Sequence, residues 1–307
     1  MTGTYARHTQ GNAVGIVNLA VIIDSTSTKQ PALAKALTLA TQFGAVVTLL
    51  SFDTKQSRAS PHAPPYASLH AWLDHFAIPL RARGIDVITQ VVNGDSADDS
   101  LLSWLRQSNV DCVLKDIHRH GLAKRALLTD TDWRLVTYCP VPLLLSKPRQ
   151  WQDSPVVVAA VDPPHGGGTN AYLDHEIMAY AAHMAKRLSG TLHAFHALHP
   201  AAGTMTSLAG VPLPRGLDQA LAIDGQRRRW AIKAFVKRYG VDQQHLHVTV
   251  GLPEICLPSI ATERNADIVV MGALARNSVT SPEVGSTAES VIESLPCDVL
   301  VIKSPPA

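Results

Sequence analysis

A repeat constrains this chain more than any other feature. Residues 16–24 form an apolar run ending in Asp24, and residues 156–162 form another ending in Asp162. Each leads through a loop into a segment with apolar residues three and four apart, at 31–43 and 172–188. That is the spacing of a helix with one buried face. Gly44 and Gly190 follow, as glycines do at many helix C-termini. Second strand-like runs come next, at 45–52 and 191–198, then a longer stretch with a helix, then third strands at 86–92 and 245–250. A short helix, a fourth strand (111–115 and 267–271), a last helix and a fifth strand (142–146 and 298–302) close each half. From Gly84 onward the register is nearly constant: Asp111 and Asp267 stand 156 positions apart, and so do Lys147 and Lys303.

Strands alternating with helices form right-handed βαβ crossovers, hence a parallel sheet with helices on both faces. The near-continuous Val, Ile and Leu of the strands fit burial from both sides. The expected fold is therefore α/β: two tandem doubly wound domains, each a five-stranded parallel sheet flanked by helices. The polar, proline-containing run 147–155 places the units at 14–148 and 154–304. Residues 142–146 and 298–302, the last strands, are expected to pair the units as pseudo-twofold partners, with a further homodimer open.

Composition narrows the classes. An apolar fraction of 46% against 17% charged residues is enough for sizeable cores. No apolar run approaches the roughly 18 residues of a spanning helix, and the first fifteen residues lack the apolar core of a signal peptide. Cys112, Cys139, Cys256 and Cys297 have no CxxC spacing and no disulfide-framework pattern. The expectation is a reduced, cytoplasmic chain with no membrane partner. Up to residue 150 there are 15 basic and 11 acidic residues; beyond it there are 12 and 14. Neither half is basic enough for nucleic acid. Arg227-Arg228-Arg229 lies in a helical pattern and reads as a solvated face.

The chemistry-bearing pattern is near the C-terminus. The strand-like run 266–271 leads into Gly272, Ala275 follows three residues later, and Gly285-Ser286-Thr287 comes ten residues after that, opening a helical run. A glycine at a strand end lets backbone approach a ligand. A Gly-Ser-Thr helix start offers free N–H groups, two hydroxyls and the positive end of the helix dipole, which suit a phosphate. In a doubly wound sheet such features fall beyond the carboxyl ends of the strands, where ligands bind. Asp162 closes the first strand of the same half.

This pattern resembles the nucleotide loop of the universal stress protein family, Gly-x2-Gly-x9-Gly-(Ser/Thr), with Ala275 in place of the second glycine. The whole chain from about residue 14 to 304 resembles the two-domain E type of that family. The supporting stretches are residues 111–120, Thr131-Asp132-Trp133 before Cys139-Pro140, and Gly251-Leu252-Pro253-Glu254. The resemblance implies ATP, with Mg²⁺, or a related adenine nucleotide in the second half. Asp162 would face the adenine or ribose end, backbone near Ala197 would bracket the base, and Met271, Gly272 and Ala275 would line the phosphates. Gly285, Ser286 and Thr287 would donate to phosphate oxygens, with Arg276 as the nearby cation. It implies a binding and sensing module rather than an efficient enzyme; no G-x-S-x-G elbow, H-E-x-x-H or Walker lysine is present.

Carried back by 156 positions the loop disappears: Gly272 becomes Asp116, Gly285 becomes Thr129 and Ser286 becomes Asp130. The first half is not expected to hold ATP in the same way, because a carboxylate repels phosphate. Asp116, His118 and His120 alternate in an extended segment and so share one side. With Asp130 or Asp132 they could hold zinc, and the alternative function is a zinc-dependent hydrolase or small-ligand binder. His193 and His196 are expected on opposite strand faces, and His245 and His247 are expected to be exposed.

Overall fold

The computed structural model describes residues 15–24, 27, 29–53, 68–93, 97–117, 128–163, 171–198, 217–273 and 284–303. The first half runs β1 (Asn18–Ile22), α1 (Pro31–Phe43), β2 (Val46–Asp53), α2 (Leu69–Arg81), β3 (Val87–Asn93), α3 (Ala97–Gln107), β4 (Cys112–Asp116), α4 (Asp130–Tyr138) and β5 (Leu143–Ser146). The second runs β6 (Val156–Ala160), α5 (Ala171–Arg187), β7 (Thr191–Leu198), α6 (Leu217–Lys237), β8 (Leu246–Val250), α7 (Pro253–Glu263), β9 (Ile268–Gly272), α8 (Ser286–Ser294) and β10 (Asp298–Ile302).

The strands form one ten-stranded sheet ordered β3-β2-β1-β4-β5-β10-β9-β6-β7-β8. The order within one half is thus mirrored in the other. All neighbours are parallel except β5 and β10, which pair antiparallel, Leu144 opposite Leu300. Because that one pair reverses direction, the carboxyl edges of the two halves lie at opposite ends of the sheet.

Alternation along the strands builds two cores, one per sheet face. Leu144 and Leu300 join Leu19, Val21, Val157 and Ala159 under α1, α2, α5 and α6. Leu143, Leu145, Val299 and Val301 join the opposite cluster with residues of α3, α4, α7 and α8. Each cluster draws on both halves, and each fully buried Leu, Ile or Val contributes about 1.5–3 kcal/mol.

The two predicted helix-ending glycines act differently. Gly44 is left-handed (φ 69°) and its N–H donates to Ala40 O at 2.8 Å, as a C-terminal cap does. After α5 the left-handed residue is Ser189 (φ 53°). Gly190 is required by crowding instead: a Cβ there would lie 2.1 Å from Pro155 O.

The 156-residue register has a mechanical cause. Asp111 accepts from the N–H groups of Val17 (2.9 Å) and Asn18 (2.8 Å), tying the start of β1 to β4. Asp267 does the same for β6, accepting from Val156 N at 2.9 Å. Lys303 donates to Leu135 O (2.9 Å) and Cys139 O (2.8 Å), carbonyls at the end of α4. Lys147 reaches Ile292 O and Leu295 O at the end of α8. Each half therefore caps the last helix of the other.

Candidate nucleotide site at the carboxyl edge of the second half

Strand order reverses between β6 and β9, and the crevice beyond their carboxyl ends is where a doubly wound sheet takes ligands. Asp162 follows β6 and Gly272 ends β9, so two of the predicted residues flank this switch point. The Asp162 side chain is half exposed, 3.6 Å from the buried His196 Nδ1, while its backbone N–H donates to Asp174 at 2.8 Å. Asp174 lies in the first turn of α5, so this bond fixes the segment after β6 to that helix.

Gly285 is the N-cap of α8, and its N–H donates to Ala273 O at 3.0 Å. That bond brings the helix start against the residue after Gly272. Ala275 and Arg276 lie outside the described residues. Among the described residues no side chain caps α8; Ser286 and Thr287 are exposed in its first turn, where Glu289 is the acidic residue. An uncapped first turn leaves N–H groups free for an anion.

Other predicted residues are placed less directly. The Met271 side chain is in the core beneath the edge, so only its backbone can face a ligand. Ala197 sits in the ladder opposite Thr249 near the end of β7. Gly272 also has a packing role: a Cβ there would come 2.8 Å from Leu173 Cδ2 of α5.

The same edge of the first half is filled. Asp116, at the end of β4, is buried, and its Oδ1 accepts from Ala32 N at 2.7 Å in the first turn of α1. Burial pushes its carboxyl up to about 6, opposed by Ser146, Ala32, Lys35 and Lys115. This carboxylate is turned under a helix rather than presented to an open metal position. His118 and His120 lie outside the described residues, and among the described residues no group of three or more His, Cys, Asp or Glu could hold a metal ion. Thr129 caps α4 through a reciprocal box: its hydroxyl accepts from Asp132 N, and Asp132 accepts from Thr129 N at 2.8 Å. Asp132 also pairs with Lys115 at 2.5 Å.

Two features escaped the sequence. Lys35 is 4% exposed and donates to Asp298 (2.7 Å), Ser146 Oγ (3.0 Å) and Lys147 O (2.5 Å). Trp151 of the connecting segment donates to the same carboxylate at 2.8 Å. Burial raises the Asp298 carboxyl, and Lys35 opposes that most strongly. A lysine inside the apolar stripe Ala32, Ala36, Leu39, Ala40 was the available signal. The expected exposure of His247 is also corrected. It is buried and its ring stacks on His193 with 8° between planes, Nδ1 of His193 and Nε2 of His247 sharing one hydrogen bond at 2.8 Å. His196 bonds Val161 O instead, on the other face.

Comparison with known proteins agrees with this architecture. Residues 17–147 and 169–303 each match the universal stress protein family. The chain is 28% identical over 303 residues to Universal stress protein E of Escherichia coli K12, covering 93% of both chains. It is 26% identical to the homolog from Haemophilus influenzae, covering 93% of this chain and 97% of that one. A crystal structure described as a putative universal stress protein from Pseudomonas aeruginosa superposes with a TM-score of 0.77 at 25% identity, covering 94% of each chain. A universal stress protein from Archaeoglobus fulgidus shares the fold at a TM-score of 0.63 and 18% identity, covering 93% of this chain and 98% of that one. With two family matches spanning most of its length, this chain belongs to the universal stress protein family.

Proposed function

We propose that the second half binds ATP, with Mg²⁺, or a related adenine nucleotide, and that the chain works as a stress-response binding and sensing module. The observation that carries this reading is the start of α8, without a side-chain cap among the described residues and tethered by Gly285 to Ala273 beside Gly272 at the switch point. Phosphate oxygens would meet the N–H groups of the first turn and the hydroxyls of Ser286 and Thr287, with Arg276 adding positive charge. Asp162 would take the ribose or adenine end, and the backbone around Ala197 would bracket the base. The units run 14–148 and 154–304 in this reading, paired through β5 and β10. A reduced, cytoplasmic setting belongs to it too: all four cysteines are free, and burial pushes the Cys297 thiol up to about 12.

Calorimetric titration of ATP with Mg²⁺ into the intact chain tests the proposal. Saturable binding of one equivalent is expected. Absence of heat and of competition by any adenine nucleotide would leave the edge without its ligand and end this reading.

A further inference from the structure

The outer face of α6 has a composition that the nucleotide site does not explain. Residues 223–242 contain six arginines and lysines against two acidic residues, Asp224 and Asp242, in a half whose overall balance is two charges negative. Ile232 and Val236 turn inward to the core. The opposite ridge, at spacings of three and four, is Ile223, Arg227, Trp230, Ala234 and Lys237, all exposed. Arg229, Lys233 and Arg238 flank it and are exposed as well. Trp230 is 73% exposed and Ile223 45%, among the large apolar side chains that the fold leaves in water.

We propose that this ridge docks α6 on an anionic lipid bilayer surface, the helix lying along the interface rather than crossing it. No described helix is long and apolar enough to span a membrane. A basic helix face bearing a tryptophan and an aliphatic residue is the chemistry of surface attachment: cations meet lipid phosphates and carboxylates while the indole and the isoleucine enter the headgroup boundary. Five like-charged side chains repel a second copy of the same face. A convex ridge with one exposed ring gives no groove to follow a nucleic-acid backbone and no platform for successive bases. Phe235 and Tyr239, the other aromatic residues of this region, pack against His175. A flat anionic surface can meet the whole ridge at once.

The test is co-flotation of the intact chain with phosphatidylcholine vesicles that either contain or lack phosphatidylserine, at low and high salt. Retention is expected only on the phosphatidylserine vesicles, and salt should reverse it, because the attraction falls off within a Debye length. Each cation near such a surface is worth about fivefold in partitioning, so Arg227→Gln with Lys233→Gln should lower retention about 25-fold. Trp230→Ala should weaken retention without changing its salt slope, and Arg227→Lys should preserve it. These positions are exposed, and unchanged circular dichroism checks that the variants fold. Equal retention on vesicles without phosphatidylserine, no retention on either kind, or tighter binding of a single-stranded oligonucleotide than of anionic vesicles would each overturn the proposal.

Discussion

Two helices at matching places in the repeat, α4 and α8, begin in opposite ways. The first turn of α4 is closed by its own side chains, with Thr129 and Asp132 satisfying each other's backbone and Lys115 neutralising the carboxylate. The first turn of α8 begins at Gly285 with no side-chain cap, its Ser286 and Thr287 exposed. The fold is shared; what differs among the described residues is whether a side chain caps the first turn. Beneath these turns Asp116 fills the edge of one half, while Gly272 leaves backbone at the edge of the other. A duplicated fold can thus keep its framework twice while its matching helix starts diverge.

The largest test of this asymmetry is at the seam between the halves. Position 142, the counterpart of Asp298 in the repeat, is a proline, so the Lys35–Asp298 pair has no mirror image. Asp298→Ala leaves an ammonium buried without its partner and is expected to cost about 3–5 kcal/mol. Replacing both, as in Lys35→Met with Asp298→Leu, should recover the part of that loss due to the unpaired charge, while the Lys147 N–H and Trp151 Nε1 stay without their acceptor. Urea midpoints of the two variants measure the difference. Equal losses would mean that the seam depends on geometry rather than on charge.

How much of this was legible in the sequence follows from what kind of interaction each feature uses. The element order and tandem halves were legible because period and register are local: α1 runs from Pro31 to Phe43, the bounds its apolar spacing predicts. The edge position of Asp162, Gly272 and Gly285 was legible because strand ends fix it. The Lys35–Asp298 pair was not, since it joins residues 263 positions apart through a pairing that periodicity does not encode. His247 was misread because an alternating pattern at a strand start gives no sign of the ring opposite, and only the β7–β8 ladder brings His193 to it. The side chain of Asp116 was expected at the open edge, but the start of α1 supplies the Ala32 N–H that draws it inward.

The next test imposes the charge of one helix start on the other. Ser286→Asp adds to Glu289 a second carboxylate in the first turn of α8, at the position Asp130 holds in α4. The side chain is exposed, so the fold tolerates it, and a carboxylate in the first turn should stabilise the helix by about 0.3–1 kcal/mol. The same charge faces the proposed phosphates and should weaken nucleotide binding about 100-fold, roughly 2.7 kcal/mol. Stability and affinity move in opposite directions, which a general structural defect cannot imitate. A variant that is more stable yet binds ATP unchanged would move the phosphates away from α8.

The smallest expected effect is in the response of the halves to acid. The stacked His193 and His247 bridge β7 and β8, whereas β2 and β3, the matching pair, contain no histidine. Burial, with His247, His245 and Arg264 adding to it, pulls His193 down to about 4 from an ordinary 6.5. His247 is lowered by burial, Arg264 and His245, with Glu263 opposing. Because the folded values lie below the unfolded ones, the unfolded chain binds more protons between about pH 4 and 6.5. The cluster's contribution is therefore complete above that window and is lost as pH falls through it. Carboxylates titrate there too, so the informative quantity is a difference: the urea midpoint of the native chain minus that of His193→Leu with His247→Leu, followed across the window. That difference should shrink, or reverse sign, as the pH drops. A difference that stays constant would mean that the paired rings do not take up protons on unfolding, and that the two halves meet acid alike.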